Sequence, residues 1–263
     1  MASTILVTGG TGTLGRHVIP LLLDAGPEVR VFSRHGREPG DGVEYMTGDL
    51  VEGEGIEAAV EGVEIVLHLA GGPKGDDEAT RHLVRAASAA GVRHLVSISV
   101  IGADRVPLAW LRSKLAAEQA VAGSGIPWTT LRAAQFHDLA LTLAEKMAKL
   151  PVIPAPGMRL QPVDSREVAA RLVELTLGAP AGLVPDLAGP EVHTMADLLG
   201  GYLRASGRRR PMLPVRIPGK AGRAYRAGEN LSLDGAVLGK RTWEEFLAER
   251  VGRDRSPHGG DKS

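Results

Sequence analysis

The stretch ILVTGGTGTLG, Ile5 to Gly15, sets four glycines between an apolar run and an amphipathic one. No other feature constrains the fold as strongly. Thr4 to Val7 reads as a strand and Leu14 to Ala25 as a helix, with Gly9, Gly10, Gly12 and Gly15 spaced across the turn and helix start. Glycine permits backbone angles and close approaches that a Cβ forbids, and a helix N-terminus offers free N–H groups with partial positive charge. Together they make a seat for phosphate. The spacing fits Gly10-x-Gly12-x-x-Gly15 and equally Gly9-x-x-Gly12-x-x-Gly15, with the strand before and helix after that a dinucleotide fingerprint requires. Gly9, Thr11, Gly12, Thr13, Leu14 and Gly15 are the candidate pyrophosphate-binding residues.

Further strands are expected at Glu28 to Ser33, Val43 to Met46, Glu64 to Ala70, His94 to Val100 and Trp128 to Leu131. Helices are expected at Glu54 to Val60, Glu78 to Ala90 and Leu111 to Ala122. Near-continuous apolar strands alternating with helices indicate an α/β protein with a doubly wound parallel sheet, the Rossmann arrangement. Residues 1–135 form this NAD(P)-binding core. Beyond about Phe136 the alternation breaks into a helix reaching Lys149, the proline-rich PVIPAPGMRLQPV, a helix at Ser165 to Leu177, a strand at Leu183 to Ala188, and a helix at Ala196 to Ala205 capped by Thr194. No linker intervenes, so residues 136–250 are expected as a smaller substrate lobe integrated with the core. The polar, glycine-rich residues 251–263 are expected to be a disordered tail.

Composition narrows the function by exclusion. The chain has 263 residues, a formal net charge of zero and no cysteine. Thiolate chemistry, disulfides and cysteine-ligated metals are excluded, and no global charge draws the chain to nucleic acid or a membrane surface. Without a signal core or spanning apolar run, a cytoplasmic protein is expected. The eight histidines lack zinc-site spacing, so no metal is expected. GRRRP at 207–211, with no interleaved aromatics, reads as a solvated loop.

At the end of the second strand, NAD-preferring folds place an acid for the ribose 2′-hydroxyl. Here Ser33 and Arg34 stand instead. A guanidinium pairs bidentately with a 2′-phosphate, so NADP, with NADPH preferred over NADH, is the expected cofactor. Arg37 is a second candidate.

TGGTGTLG, GDL at 48–50, HLAGG at 68–72, VSISVIGA at 96–103, KLAAE at 114–118 and PWTTLRAAQF at 127–136 together resemble the NmrA-like, or atypical, branch of the short-chain dehydrogenase/reductase superfamily. The resemblance covers roughly residues 3 to 180. It implies Asp49 and Leu50 near the adenine, Leu69, Ala70 and Gly71 flanking the adenosine, and Ser99 and Lys114 approaching the nicotinamide as catalytic candidates. It also implies that Gln135 and Phe136 line the substrate pocket, with His137 beside them as an alternative proton donor. A solvated Lys114 pairing with Glu118 at i+4 is the bland alternative.

The superfamily's acid is a tyrosine four residues before the lysine, and Trp110 occupies that position. Indole cannot act as an acid at useful pH. Tyr225 is a candidate to reach the pocket from the lobe, and Trp110 offers a flat apolar wall for a planar substrate. The expected function is therefore an NAD(P)H-dependent oxidoreductase reducing a small planar acceptor, a quinone, activated double bond or carbonyl, without the usual tyrosine. The alternative is a catalytically inactive NADP-sensing regulator. The expected partner is a small-molecule substrate, with a homodimer or protein partner left open.

Overall fold

The computed structural model describes residues 3–36, 40, 42–72 and 75–253. The first half of the chain contains β1 (Thr4–Thr8), α1 (Gly15–Ala25), β2 (Glu28–Ser33), β3 (Val43–Thr47), α2 (Ile56–Val60), β4 (Ile65–His68), α3 (Asp76–Ala89), β5 (His94–Val100), α4 (Ala109–Ala122) and β6 (Trp128–Ala133). After it come α5 (His137–Met147), β7 (Ile153–Pro156), β8 (Arg159–Leu160), α6 (Ser165–Leu177), β9 (Gly182–Leu183) and β10 (Leu187–Ala188). The last elements are β11 (His193–Thr194), α7 (Met195–Ser206), β12 (Met212–Val215), α8 (Gly219–Ala227), β13 (Val237–Leu238) and α9 (Trp243–Arg253).

The main sheet runs β13-β10-β6-β5-β4-β1-β2-β3, with β9 also beside β6. Its described pairs are parallel, as the apolar strand runs predict. Successive residues of β1 face opposite sides: Val7 joins Val18 and Leu22 of α1 and Val168 and Leu172 of α6, while Leu6 joins Ala59, Leu83 and Val121 on the other face. Both faces are covered, so the strands read as unbroken apolar segments. After β1 the chain builds β2 and β3, then returns to lay β4 on β1's other side. This reversal opens a crevice at the strands' carboxyl ends, where such sheets take their ligands.

The second half departs further from the sequence reading. The proline-rich segment carries two strands: β7 pairs in parallel with β12, and β8 pairs antiparallel with β11. The strand expected at Leu183 to Ala188 is two short ones, β9 and β10, both docked on β6. Thr194 caps α7 through a capping box with Asp197. Helices α5, α7 and α9 enclose an apolar cluster that includes Tyr202, Trp243 and Phe246. Because α9 runs through Arg253, residues 251–253 belong to a helix rather than to the expected tail; residues 254–263 lie outside the described part. Among the described residues no helix is long and apolar enough to cross a membrane.

Candidate active site

The glycine turn sits at the sheet's reversal. Gly9 adopts φ 71°, and a Cβ added there would come within 2.6 Å of the Ala70 backbone nitrogen, so the turn packs directly on the exit of β4. Gly15 is packed as tightly on the backbone of Gly10. The Gly12 amide donates to the Gly9 carbonyl at 3.0 Å and Arg16 to Gly12 at 3.2 Å. Among the described residues nothing accepts from the amides of Thr11, Thr13 and Leu14, and no side chain caps α1. Unsatisfied donors at a helix N-terminus, approached over glycine, are the donor set an anionic diphosphate requires.

On the β2 side, Ser33 donates its hydroxyl to the His35 carbonyl at 2.6 Å. Arg34 follows, exposed at the strand's end. Arg37 lies outside the described residues. Asp49 folds its own turn, its Oδ1 accepting from the Val51 amide at 2.7 Å, and Leu50 is buried in the core against α2 and α3. Leu69 and Ala70 are half-buried and Gly71 is exposed, on the loop that leaves β4.

Lys114 reaches this loop from α4. Its Nζ lies 2.7 Å from Asp76 Oδ2, with only 14% of the lysine side chain and 7% of the aspartate exposed. Asp76 Oδ1 accepts from the Gly72 amide at 2.6 Å. The partner expected for a merely solvated Lys114, Glu118, is instead paired twice with Arg132, at 2.7 and 2.9 Å. Asp76, absent from the sequence reading, is thus the neighbour that defines the lysine. The only hint was a run of acids, Asp76 to Glu78, that suits a helix N-terminus.

Behind Lys114 is a polar cavity of about 10 Å³, walled in part by Asp76, Thr80, Ser97 and Ser99. Ser99, expected to meet a substrate oxygen, is 4% exposed, and its unpartnered hydroxyl is buried. The correction follows from strand alternation: Ser97 and Ser99 face α4, under the lysine rather than out to the rim. His68 is hydrogen-bonded to Thr8 and Thr80 at 2.7 and 3.0 Å. Burial, then the charge of Lys114, pushes its imidazole down to about 3. It is a neutral strut joining β1, β4 and α3.

Trp110 is half-buried against the apolar cluster of Val106, Leu111 and Tyr225. Helix α8 thus lays Tyr225 beside the head of α4, where burial raises its phenol further from acid duty. Phe136 packs on the core, and Gln135 holds a buried, unpartnered Oε1. His137 does not join them. Only 1% exposed, it packs against the stacked Trp243 and Phe246 at ring separations of 5.7 and 5.1 Å. Burial lowers its imidazole to about 4. It is a lobe-core histidine, and the proton-donor expectation is corrected. On the lobe surface, Glu191, His193 and Glu244 place ligand atoms within 4.8 Å of one another, a grouping without sequence spacing.

A family profile described as NAD(P)H-binding matches residues 9–175, which contain both the glycine turn and Lys114. The chain belongs to this family. It is 34% identical over 212 residues to (4-alkanoyl-5-oxo-2,5-dihydrofuran-3-yl)methyl phosphate reductase of Streptomyces griseus, covering 78% of this chain and 74% of that one. It is 29% identical over 223 residues to an NAD(P)H azoreductase of Xenophilus azovorans, covering 81% of this chain and 75% of the relative. An NADPH-dependent quinone oxidoreductase from Escherichia coli, solved with NADPH, superimposes with a TM-score of 0.79 at 21% identity over 93% of this chain and 99% of that one. The triphenylmethane reductase of Citrobacter sp. does so with a TM-score of 0.77 at 23% identity over 95% and 99%.

Proposed function

We propose that this chain is an NADPH-dependent oxidoreductase that reduces a small planar acceptor of the quinone or azo class without a catalytic tyrosine. The observation that carries the reading is the glycine turn. At the sheet's reversal, backbone packing that only glycine allows leaves the amides of Thr11, Thr13 and Leu14 free at the mouth of α1. Those amides, with Gly9, Gly12 and Gly15, would hold the pyrophosphate. Ser33 and Arg34 would take the 2′-phosphate, which is the basis for NADPH over NADH. Asp49 and Leu50 would stand near the adenine, and Leu69, Ala70 and Gly71 along the adenosine. Lys114 would reach the nicotinamide ribose.

Bound NADPH supplies the hydride. The protein's part is to orient and to compensate charge. A quinone or azo acceptor gains negative charge on reduction, and the Lys114 ammonium, held at the rim beside Gly71, is a fixed cation that stabilises it. Protons for the product come from water or Lys114. Trp110, Gln135 and Phe136 would wall the acceptor, the indole matching a flat ring. Relatives named as reductases support turnover over nucleotide sensing.

The test pairs binding with turnover. NADPH and NADH are titrated by fluorescence, and loss of NADPH absorbance is followed with quinone and azo panels. Arg34→Ala is expected to weaken NADPH by about tenfold, one lost charge-assisted contact, while leaving NADH within about twofold. Tight NADPH binding without turnover on either panel would overturn the acceptor assignment. Equal losses for both nucleotides would overturn the role of Arg34.

A further inference from the structure

We propose that Asp76, the first residue of α3, is a positioning residue whose charge fixes the Lys114 ammonium at the cofactor rim and which touches neither cofactor nor acceptor itself. The inference rests on the reading of Lys114 given above. Asp76 is the only described carboxylate within ion-pairing distance of Lys114 Nζ, at 2.7 Å, because Glu118 is committed to Arg132. Its two oxygens have separate tasks: Oδ1 takes the Gly72 amide at 2.6 Å and so ties down the loop after β4, while the buried Oδ2 has no aligned hydrogen bond and meets the lysine as a charge. The loop in turn makes room for the cation, since a Cβ on Gly71 would come 2.5 Å from Nζ. One carboxylate therefore sets the position of both the loop and the lysine.

A plain helix clamp is already present one residue away. Ser113 donates to Asp77 Oδ1 at 2.9 Å and accepts from the Asp77 amide at 3.4 Å, joining α3 to α4 without Lys114. The charged pair is superfluous as a clamp. Its distinctive property is its place, under the loop at the rim, where an unanchored lysine would sample many rotamers and lose orientation on each encounter.

NADPH affinity and the split between kcat and KM separate positioning from scaffolding. Wild type, Asp76→Asn, Asp76→Glu and Ser113→Ala are compared, and Asp76→Asn is repeated in a Lys114→Met background. Asp76→Asn is expected to weaken NADPH about tenfold and lower kcat in parallel, with Asp76→Glu recovering most of both. Ser113→Ala stays within about twofold, as does Asp76→Asn once Lys114 is gone. Equal losses in both backgrounds, or an equal loss from Ser113→Ala, would overturn the proposal. If wild type takes up no NADPH, the cofactor reading fails instead, and pulse acetylation decides the positioning claim: faster labelling of Lys114 in Asp76→Asn upholds it, and equal labelling overturns it.

Discussion

Replacing Gly9 with alanine separates the conformational demand of the turn from its packing, provided that Gly26→Ala is measured beside it. Both glycines are left-handed, with φ 71° and 94°, but a Cβ on Gly26 meets nothing within 4 Å. At Gly9 the same atom would fall 2.6 Å from Ala70 N and 2.7 Å from Leu69 C. The left-handed backbone alone costs alanine about 1 kcal/mol. Forcing rigid backbone apart adds roughly 1–3 kcal/mol at position 9. Gly26→Ala should therefore lower stability by about 1 kcal/mol and Gly9→Ala by about 2–4 kcal/mol. In a chain of this size that difference appears as roughly 2–4 °C against roughly 4–16 °C in Tm. Thermal melts give the stability, and NADPH titration gives the consequence. Displacing the turn misaligns the free amides, so Gly9→Ala should also lose at least about tenfold in NADPH affinity while Gly26→Ala keeps it. If the two variants melt together and bind alike, the claim that the turn is moulded on the exit of β4 is wrong.

Acid should expose the buried imidazoles of His68 and His137. Burial holds His68 at about 3 and His137 at about 4, so between those values and 6.5 the unfolded chain binds protons that the native chain refuses. Stability then rises with pH across this window and falls as pH drops below about 6.5, by up to about 1.4 kcal/mol per unit for each imidazole. Urea unfolding from pH 7 to 4.5 measures that slope, and His137→Leu should make it shallower; an unchanged slope contradicts the burial argument. Glu118→Gln leaves the guanidinium of Arg132, which is 11% exposed, with Asp104 at 3.0 Å as its remaining carboxylate partner, and should cost about 2 kcal/mol in chemical denaturation; a loss below about 1 kcal/mol would show the pair to be solvent-screened. Thr194→Ala removes the capping box of α7 and should cost about 1 kcal/mol by the same assay, with no loss marking the cap as dispensable.

The core was legible because local pattern and tertiary demand coincide there. Strands His94 to Val100 and Glu28 to Ser33 and the helix Ser165 to Leu177 occur with the limits their sequences suggest, since apolar runs buried on both faces and the Asp164 cap are local signals. The strands of the lobe were not legible, because they depend on distant partners. IPAP of β7 and MLPV of β12 have prolines and no period of their own, and become strands only by pairing Ile153 with Met212. His137 was misplaced for a related reason. Its chain position beside Phe136 points to the pocket, but α9, which the sequence reading missed, brings Trp243 and Phe246 over it. The Asp76–Lys114 pair joins two helices across a loop, and no periodicity records such a contact.

The central claim is that bare amides at the mouth of α1 hold the cofactor's pyrophosphate. The most direct measurement is an amide NMR titration of the full chain with NADPH. The account predicts the largest shifts at the free amides of Thr11, Thr13 and Leu14, saturating with the fluorescence binding curve. Saturable binding that leaves those three amides unmoved and shifts residues elsewhere would contradict it.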